Sequence, residues 1–180
     1  LAGADSAADV ARYVSAGLDT YAPFDFGRRA KLPDGREVNV AFALAYATHP
    51  EITRAALFTS HNKFPENFWK PEFQRHTNGA VVIEEAVLVA PEPRHLAHFI
   101  GGFTGQRPRE IDGGLAAACG PQILSVLTPD VFAARFDGAM VDLAQGPRLA
   151  GLVIAASDPP ARLTPASDAG GVTIAWSKRG

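Results

Sequence analysis

No regular element can run through Leu57–Ala80, LFTSHNKFPENFWKPEFQRHTNGA, and that break constrains the whole chain. Pro65 and Pro71 each end a helix or strand that tries to pass. The stretch nonetheless carries Phe64, Phe68, Trp69 and Phe73 among His61, Asn62, Asn67, His76 and Asn78. Packed rings bury much surface, and the polar groups between them need partners or a ligand. The pattern predicts a structured crossover between two modules, with a pocket beside it.

Before the crossover, Ala7, Val10, Ala11, Val14 and Leu18 fall at helical spacing. Ser6 and Asp9 form a capping-box pattern, and Gly17 marks the stop. Leu1-Ala-Gly reads as the tail of a strand. Strands follow at Ala22–Arg29, Val38–Ala47 and Ala55–Ser60, the first two joined by the turn Pro33-Asp34-Gly35. In Val38–Ala47 large residues (Val40, Phe42, Leu44, Tyr46) alternate with small ones, so one face can pack on a helix while the other leaves room for something to approach. His49 reads as a solvated turn residue.

After the crossover, Ala80–Ala90 is β-rich and interrupted only by Glu84-Glu85. A helix with apolar face Leu96, Phe99, Ile100 and Phe103 follows and frays at Gly101-Gly102; His95 and His98 form its polar edge. Gln106–Asp112 reads as a charged connection. Strands are predicted at Gly114–Cys119 and Pro121–Leu127, then a short helix capped by Thr128 with Pro129 in its first turn. Strands at Leu149–Ala156 and Val172–Ser177 close the chain. One helix per group of short strands predicts an α+β fold of repeated βαβββ modules forming a cupped mixed sheet with helices on the outside. The divisions fall at 1–79 (a module lacking most of its first strand, plus the crossover), 80–138 (a second module) and 139–180 (a partial third).

A formal charge of −2 over 180 residues gives no electrostatic reason to expect nucleic acid or an anionic membrane as partner. Without a long apolar run or a visible cleavable signal, the expected location is cytoplasmic. The single cysteine, Cys119, excludes an internal disulfide framework and reads as a small buried hydrophobe. The start at Leu1 reads as the interior of a longer polypeptide.

The patterns Leu32-Pro-Asp-Gly with Val40-Ala-Phe-Ala-Leu-Ala-Tyr-Ala, and Pro65-Glu-Asn-Phe-Trp-Lys-Pro-Glu-Phe-Gln-Arg-His-Thr-Asn-Gly-Ala, resemble glyoxalase-like proteins of the vicinal oxygen chelate superfamily, which includes bleomycin-resistance proteins and dioxygenases. The resemblance implies paired βαβββ modules around a divalent metal, and lyase, isomerase or dioxygenase chemistry on a small oxygenated substrate. It also covers metal-free binding proteins of the same fold.

Ligands in that superfamily lie on the first and last strands of a module. The resemblance places Glu85 at such a position, and His61 on the comparable strand of the first module. Ser125, Gly151 and Ala175 stand where further ligands are expected, so the set is incomplete. His61 and Glu85 are therefore the candidate catalytic and metal-binding residues, with Fe, Mn, Zn or Ni as the possible ion and a metal-free form favoured. Phe68, Trp69 and His76 are the candidate substrate-binding residues. Glu85 in an apolar strand calls for a partner, expected from Lys70, Arg75 or His76 unless it lies on an exposed sheet edge. A homodimer is expected from exposed strand edges.

Overall fold

A computed structural model describes residues 1–179 and divides into two compact units. Unit 1 holds Leu1–Thr48 and Ala56–Gln74; unit 2 holds His49–Ala55 and the chain from Arg75 onward.

Unit 1 begins with a single parallel bridge, Ala2 to Ser60, flanked by Gly3 N–H to the Ser60 carbonyl (2.9 Å) and Ser60 N–H to the Leu1 carbonyl (2.8 Å). The expected strand tail is there. Helix α1, Ser6–Ser15, follows. Its cap is Asp5, whose carboxylate accepts from the N–H groups of Ala7 and Ala8, rather than the expected Ser6–Asp9 box. Ser6 instead donates to the Ala43 carbonyl (2.8 Å), and Asp9 binds Arg12 and Thr59. Replacing Asp5 by alanine should cost about 1 kcal/mol, measured as a lowered urea midpoint with an unchanged slope.

Gly17, at φ 70°, ends that helix by donating to the Val14 carbonyl. Then come β1 (Asp19–Thr20), β2 (Phe24–Lys31), β3 (Glu37–Thr48) and β4 (Leu57–Asn62). Strand β3 pairs antiparallel with the other three. Unit 1 thus has βαβββ order with one short extra strand. Its last segment is the crossover: a single turn, α2 (Pro65–Phe68), and a 3-10 turn at Pro71–Phe73, each begun by a proline.

Unit 2 carries β5 (Ala80–Val89), α3 (Ala97–Thr104), β6 (Arg109–Ile111), β7 (Gly114–Cys119) and β8 (Gln122–Leu127). Next are α4 (Pro129–Arg135), β9 (Arg148–Ala156), β10 (Leu163–Thr164) and β11 (Thr173–Lys178). The seven-stranded mixed sheet runs β10-β11-β9-β5-β8-β7-β6. Strands β5 and β8 are parallel, as are β9 and β11, while β5 meets β9 antiparallel. Strand, helix and three strands from β5 to β8 repeat the order of unit 1. Only six residues separate β9 from β10, and none is helical; Pro159 and Pro160 forbid it. The fold is α+β with mixed pairing, as expected.

Two boundaries differ from expectation. Helix α3 continues through Gly101 and Gly102 to Thr104 and is ended by Gly105 in the left-handed region. Part of the charged connection forms β6, paired with β7. His49 is half-buried, its ring 5.2 Å from that of Phe99.

The main cluster of unit 2 joins Val87, Val89, Leu127 and Ala150 of the sheet to Phe132 and Phe136, from α4 and its C-cap. By alternation Leu88, Leu124 and Val126, all buried, point the other way. Helix α3 packs on β7 with Phe99, Ile100 and Phe103 buried.

Candidate functional site

The sheet face beneath α4 carries Glu85. Its alternation with Val87 and Val89 holds, but a register shift between Ile83 and Glu85 stops it running back to Ile83 and Val81. Glu85 is 7% exposed. Both its oxygens are taken by Arg135, the last residue of α4: Nη1 donates to Oε1 at 2.8 Å and Nη2 to Oε2. The partner is therefore none of Lys70, Arg75 or His76. Burial pushes the Glu85 pKa up, but hydrogen bonds from Arg135 and Ser125 and the charges of Arg135 and Arg109 outweigh it, so the net shift is down. The same carboxylate holds the Arg135 pKa up.

The rest of this face is apolar and filled. Phe132 and Phe136 stack at 4.4 Å. Gly151, opposite Val87, leaves them their space: a Cβ there would sit 2.8 Å from the Phe136 ring and 2.9 Å from that of Phe132. Ser125 stands on the other side of Val87, and Ala175 opposite Val153. A divalent ion needs several oxygen or nitrogen donors. Here Gly151 and Ala175 offer no side-chain donor, Ser125 is a neutral hydroxyl, and Glu85 already holds a guanidinium that would repel a second cation. This face does not fit a metal. Among the described residues no three His, Cys, Asp or Glu side chains are gathered as a metal-binding group.

In unit 1, His61 lies on β4 opposite Ala43 and is half-buried. By alternation it shares the side of Thr59, which is turned toward α1: Thr59 donates to Asp9 (2.6 Å) and lies 3.4 Å from the Tyr13 hydroxyl. Burial raises the Tyr13 pKa, with its hydrogen bond to Thr59 pulling the other way.

The other face of that sheet is aromatic. Phe26 pairs with Phe42 across β2 and β3, and Tyr46 with Phe58 across β3 and β4. Ring centroids run Phe24 to Phe26 at 5.9 Å, Phe26 to Phe42 at 5.3 Å, Phe42 to Phe68 at 5.5 Å and Phe68 to Trp69 at 5.4 Å. The crossover thus lays two of the predicted substrate-binding residues, Phe68 and Trp69, at the end of this series. The third, His76, is exposed in unit 2, in the turn closed by Gly79 N–H to its carbonyl.

A cleft of about 460 Å³ in unit 1 is lined by Arg29, Glu37, Asn39, Phe64, Glu66 and Asn67. Asn67 is fixed by donating to the Asn39 carbonyl (2.9 Å), and Arg29 by its ion pair with Glu37 (3.0 Å). Sequence reasoning missed Asn39 and Asn67 as cleft residues. Only their position around the Pro33-Asp34-Gly35 turn and the crossover could have hinted at it. Asn62 lies opposite Phe42. Its Oδ1 accepts from the Phe64 N–H (3.1 Å), while its buried Nδ2 has no partner.

No family model and no curated protein matches this sequence. A hypothetical protein from Staphylococcus aureus has a similar structure: TM-score 0.68, 10% identity, 98% of this chain and 64% of that one covered. That likeness shows the fold alone, and the chain spans about two thirds of that protein's length. Methylmalonyl-CoA epimerase from Mycobacterium tuberculosis matches at TM-score 0.41 and 16% identity, covering 59% of this chain and 93% of its own. A score that low carries no argument here.

Proposed function

We infer that the chain is a metal-free, small-molecule-binding protein of the glyoxalase-like kind, and that unit 2 acts in it as scaffold rather than as a catalytic cup. One observation carries this reading. The position where the resemblance puts a metal ligand, Glu85, is closed by both terminal guanidinium nitrogens of Arg135, and the neighbouring stretch of the face at Gly151 is filled by the Phe132–Phe136 stack.

The binding surface in this reading is the cleft of unit 1. Its volume falls within the range that small ligands occupy. Arg29 supplies a charge, Asn67 and Asn39 supply amides, and Phe64 an apolar wall. A small neutral oxygenated molecule fits this set: Arg29 and the amides donate to its oxygens, while Glu37, already paired with Arg29, and Glu66 accept from its hydroxyls and disfavour an anion.

The test combines metal analysis with binding. Protein purified without chelator should contain Mn, Fe, Zn and Ni far below one ion per chain. A screen of small neutral polyols, sugars and hydroxylated carbonyl compounds by calorimetry should find a binder that Arg29→Ala weakens about tenfold or more, in line with loss of a charged hydrogen bond. Stoichiometric metal that disappears on Glu85→Gln would overturn the metal-free part. A binder indifferent to Arg29→Ala would overturn the cleft assignment.

A further inference from the structure

We propose that the outer edge of β2 is a docking site for an extended, acidic peptide segment of another protein, which adds to the sheet of unit 1 as one more antiparallel strand. The proposal goes beyond the ligand cleft. Arg29 belongs to both, by its backbone here and by its side chain there.

The first ground is an open ladder. Strand β2 pairs with β3 over eight consecutive residues without a register shift. The bond from Leu32 N–H to the Arg36 carbonyl sets the phase. Counting back in twos, Ala30, Arg28, Phe26 and Phe24 turn their backbone groups to β3, while Lys31, Arg29, Gly27 and Asp25 turn theirs outward. Among the described residues no backbone group bonds the outward set; only the Arg29 carbonyl is approached, by the Arg28 side chain at 3.5 Å. Residues 24–29 are all exposed. The other sheet edges differ. In unit 2 the outer strands β6 and β10 are three and two residues long, and in unit 1 residues 1–3 bond along β4.

The second ground is charge. Natural edge strands are blunted by shortness, bulges, proline or charge, and β2 has only the last. Asp25 is bound by Lys63 and Arg29 by Glu37. Arg28 and Lys31 make no ion pair among the described residues, so they set the sign of the edge. A basic segment would meet two uncompensated cations there, and an acidic one is drawn in. Arg28 shares a face with Phe24 and Phe26, and Lys31 lies on the opposite face. An antiparallel strand with acidic residues opposite Lys31 and Arg28, and apolar residues opposite Phe26 and Phe24, is complementary on both faces. Such cross-strand pairs stabilise a sheet. Outward N–H and C=O groups at strand spacing are matched by another peptide strand, whose main chain supplies affinity while the side-chain pairs supply specificity.

Fluorescence anisotropy with the full chain and the labelled peptide acetyl-Glu-Thr-Thr-Glu-Val-Val-Thr-Val-amide tests the proposal. Laid antiparallel, its two glutamates fall opposite Lys31 and Arg28. Saturable binding is expected. N-methylation of its third and fifth residues, whose N–H groups face β2, should abolish it; N-methylation of the fourth and sixth, which face away, should not. Arg28→Glu, at an exposed side chain, and Lys31→Pro, which removes a cation and an outward N–H where an edge tolerates proline, should each raise the dissociation constant tenfold or more. Circular dichroism should stay unchanged. Met140→Glu, at an 89% exposed position in unit 2, should leave binding as it was. Should Lys31→Pro not fold, Arg28→Glu and the methylated peptides decide the matter. A peptide that fails to bind at millimolar concentration overturns the proposal, and so does binding indifferent to the site of methylation or to Arg28→Glu. A dimer of the free chain that Lys31→Pro dissolves in sedimentation overturns it too, assigning the edge to a second copy.

Discussion

Phe136→Ala should destabilise the protein by about 3–5 kcal/mol, the usual cost of emptying a fully buried phenylalanine site. Phe136 is 0% exposed, stacks on Phe132 at 4.4 Å and fills the space that Gly151 leaves open. The hole cannot close cheaply. Its floor is sheet backbone at Val87 and Gly151, held by ladder bonds to both neighbouring strands, and its wall is a seven-residue helix fixed by the Thr128 cap. Residual cavity volume adds to the lost transfer energy. Phe24→Ala is the control: its ring is more than half exposed, so the protein should lose under 1 kcal/mol. Urea unfolding followed by tryptophan fluorescence reads both, since Trp176 sits on β11. A loss below 1 kcal/mol for Phe136→Ala would show that α4 is not seated on the sheet as described.

Strands and turns were legible in the sequence because local chemistry decides them. Pro33-Asp34-Gly35 makes its turn, with Leu32 N–H bonded to the Arg36 carbonyl (2.8 Å), and the alternation of Val38–Ala47 makes β3. The cap of α1 lay one residue earlier than expected because Asp5 and Ser6 compete for it, and Ser6 finds a better partner in the Ala43 carbonyl. Such a partner is 37 residues away and invisible locally. Glu85 follows the same logic. An isolated carboxylate in an apolar strand demands a partner, and that much could be read. Which partner depended on α4 folding back over the sheet, 50 residues on. The register shift at Ile83/Glu85 also had no signal beyond the doubled glutamate itself. For His61, periodicity gave the shared side with Thr59, and only the packed α1 shows that this side is turned toward a helix.

Arg135→Ala should reverse the sign of the acid response. In the native protein Glu85 is held ionised, its pKa below the unfolded value. A depressed carboxylate contributes stability above its unfolded pKa, and that contribution is lost as pH falls through the folded one. Removing Arg135 takes away the hydrogen bonds and the charge that hold Glu85 down. Burial, the largest single influence on it, remains and pushes the pKa up. The variant's Glu85 then binds its proton more tightly folded than unfolded, so stability should fall as pH rises through the raised pKa. The loss at neutral pH should be about 1–3 kcal/mol. That is less than the 3–5 kcal/mol of a fully buried broken pair, because the Arg135 side chain is 41% exposed and water can enter beside it. Glu85→Gln in the same background should recover part of that loss and flatten the pH dependence, since an amide has no charge to leave stranded. Urea midpoints between mildly acidic and neutral pH measure both slopes. If Arg135→Ala keeps the native direction of the acid response, Glu85 is not the buried carboxylate that the sheet face presents. If zinc then binds Arg135→Ala and not Glu85→Gln/Arg135→Ala, the guanidinium is what keeps a cation off this face.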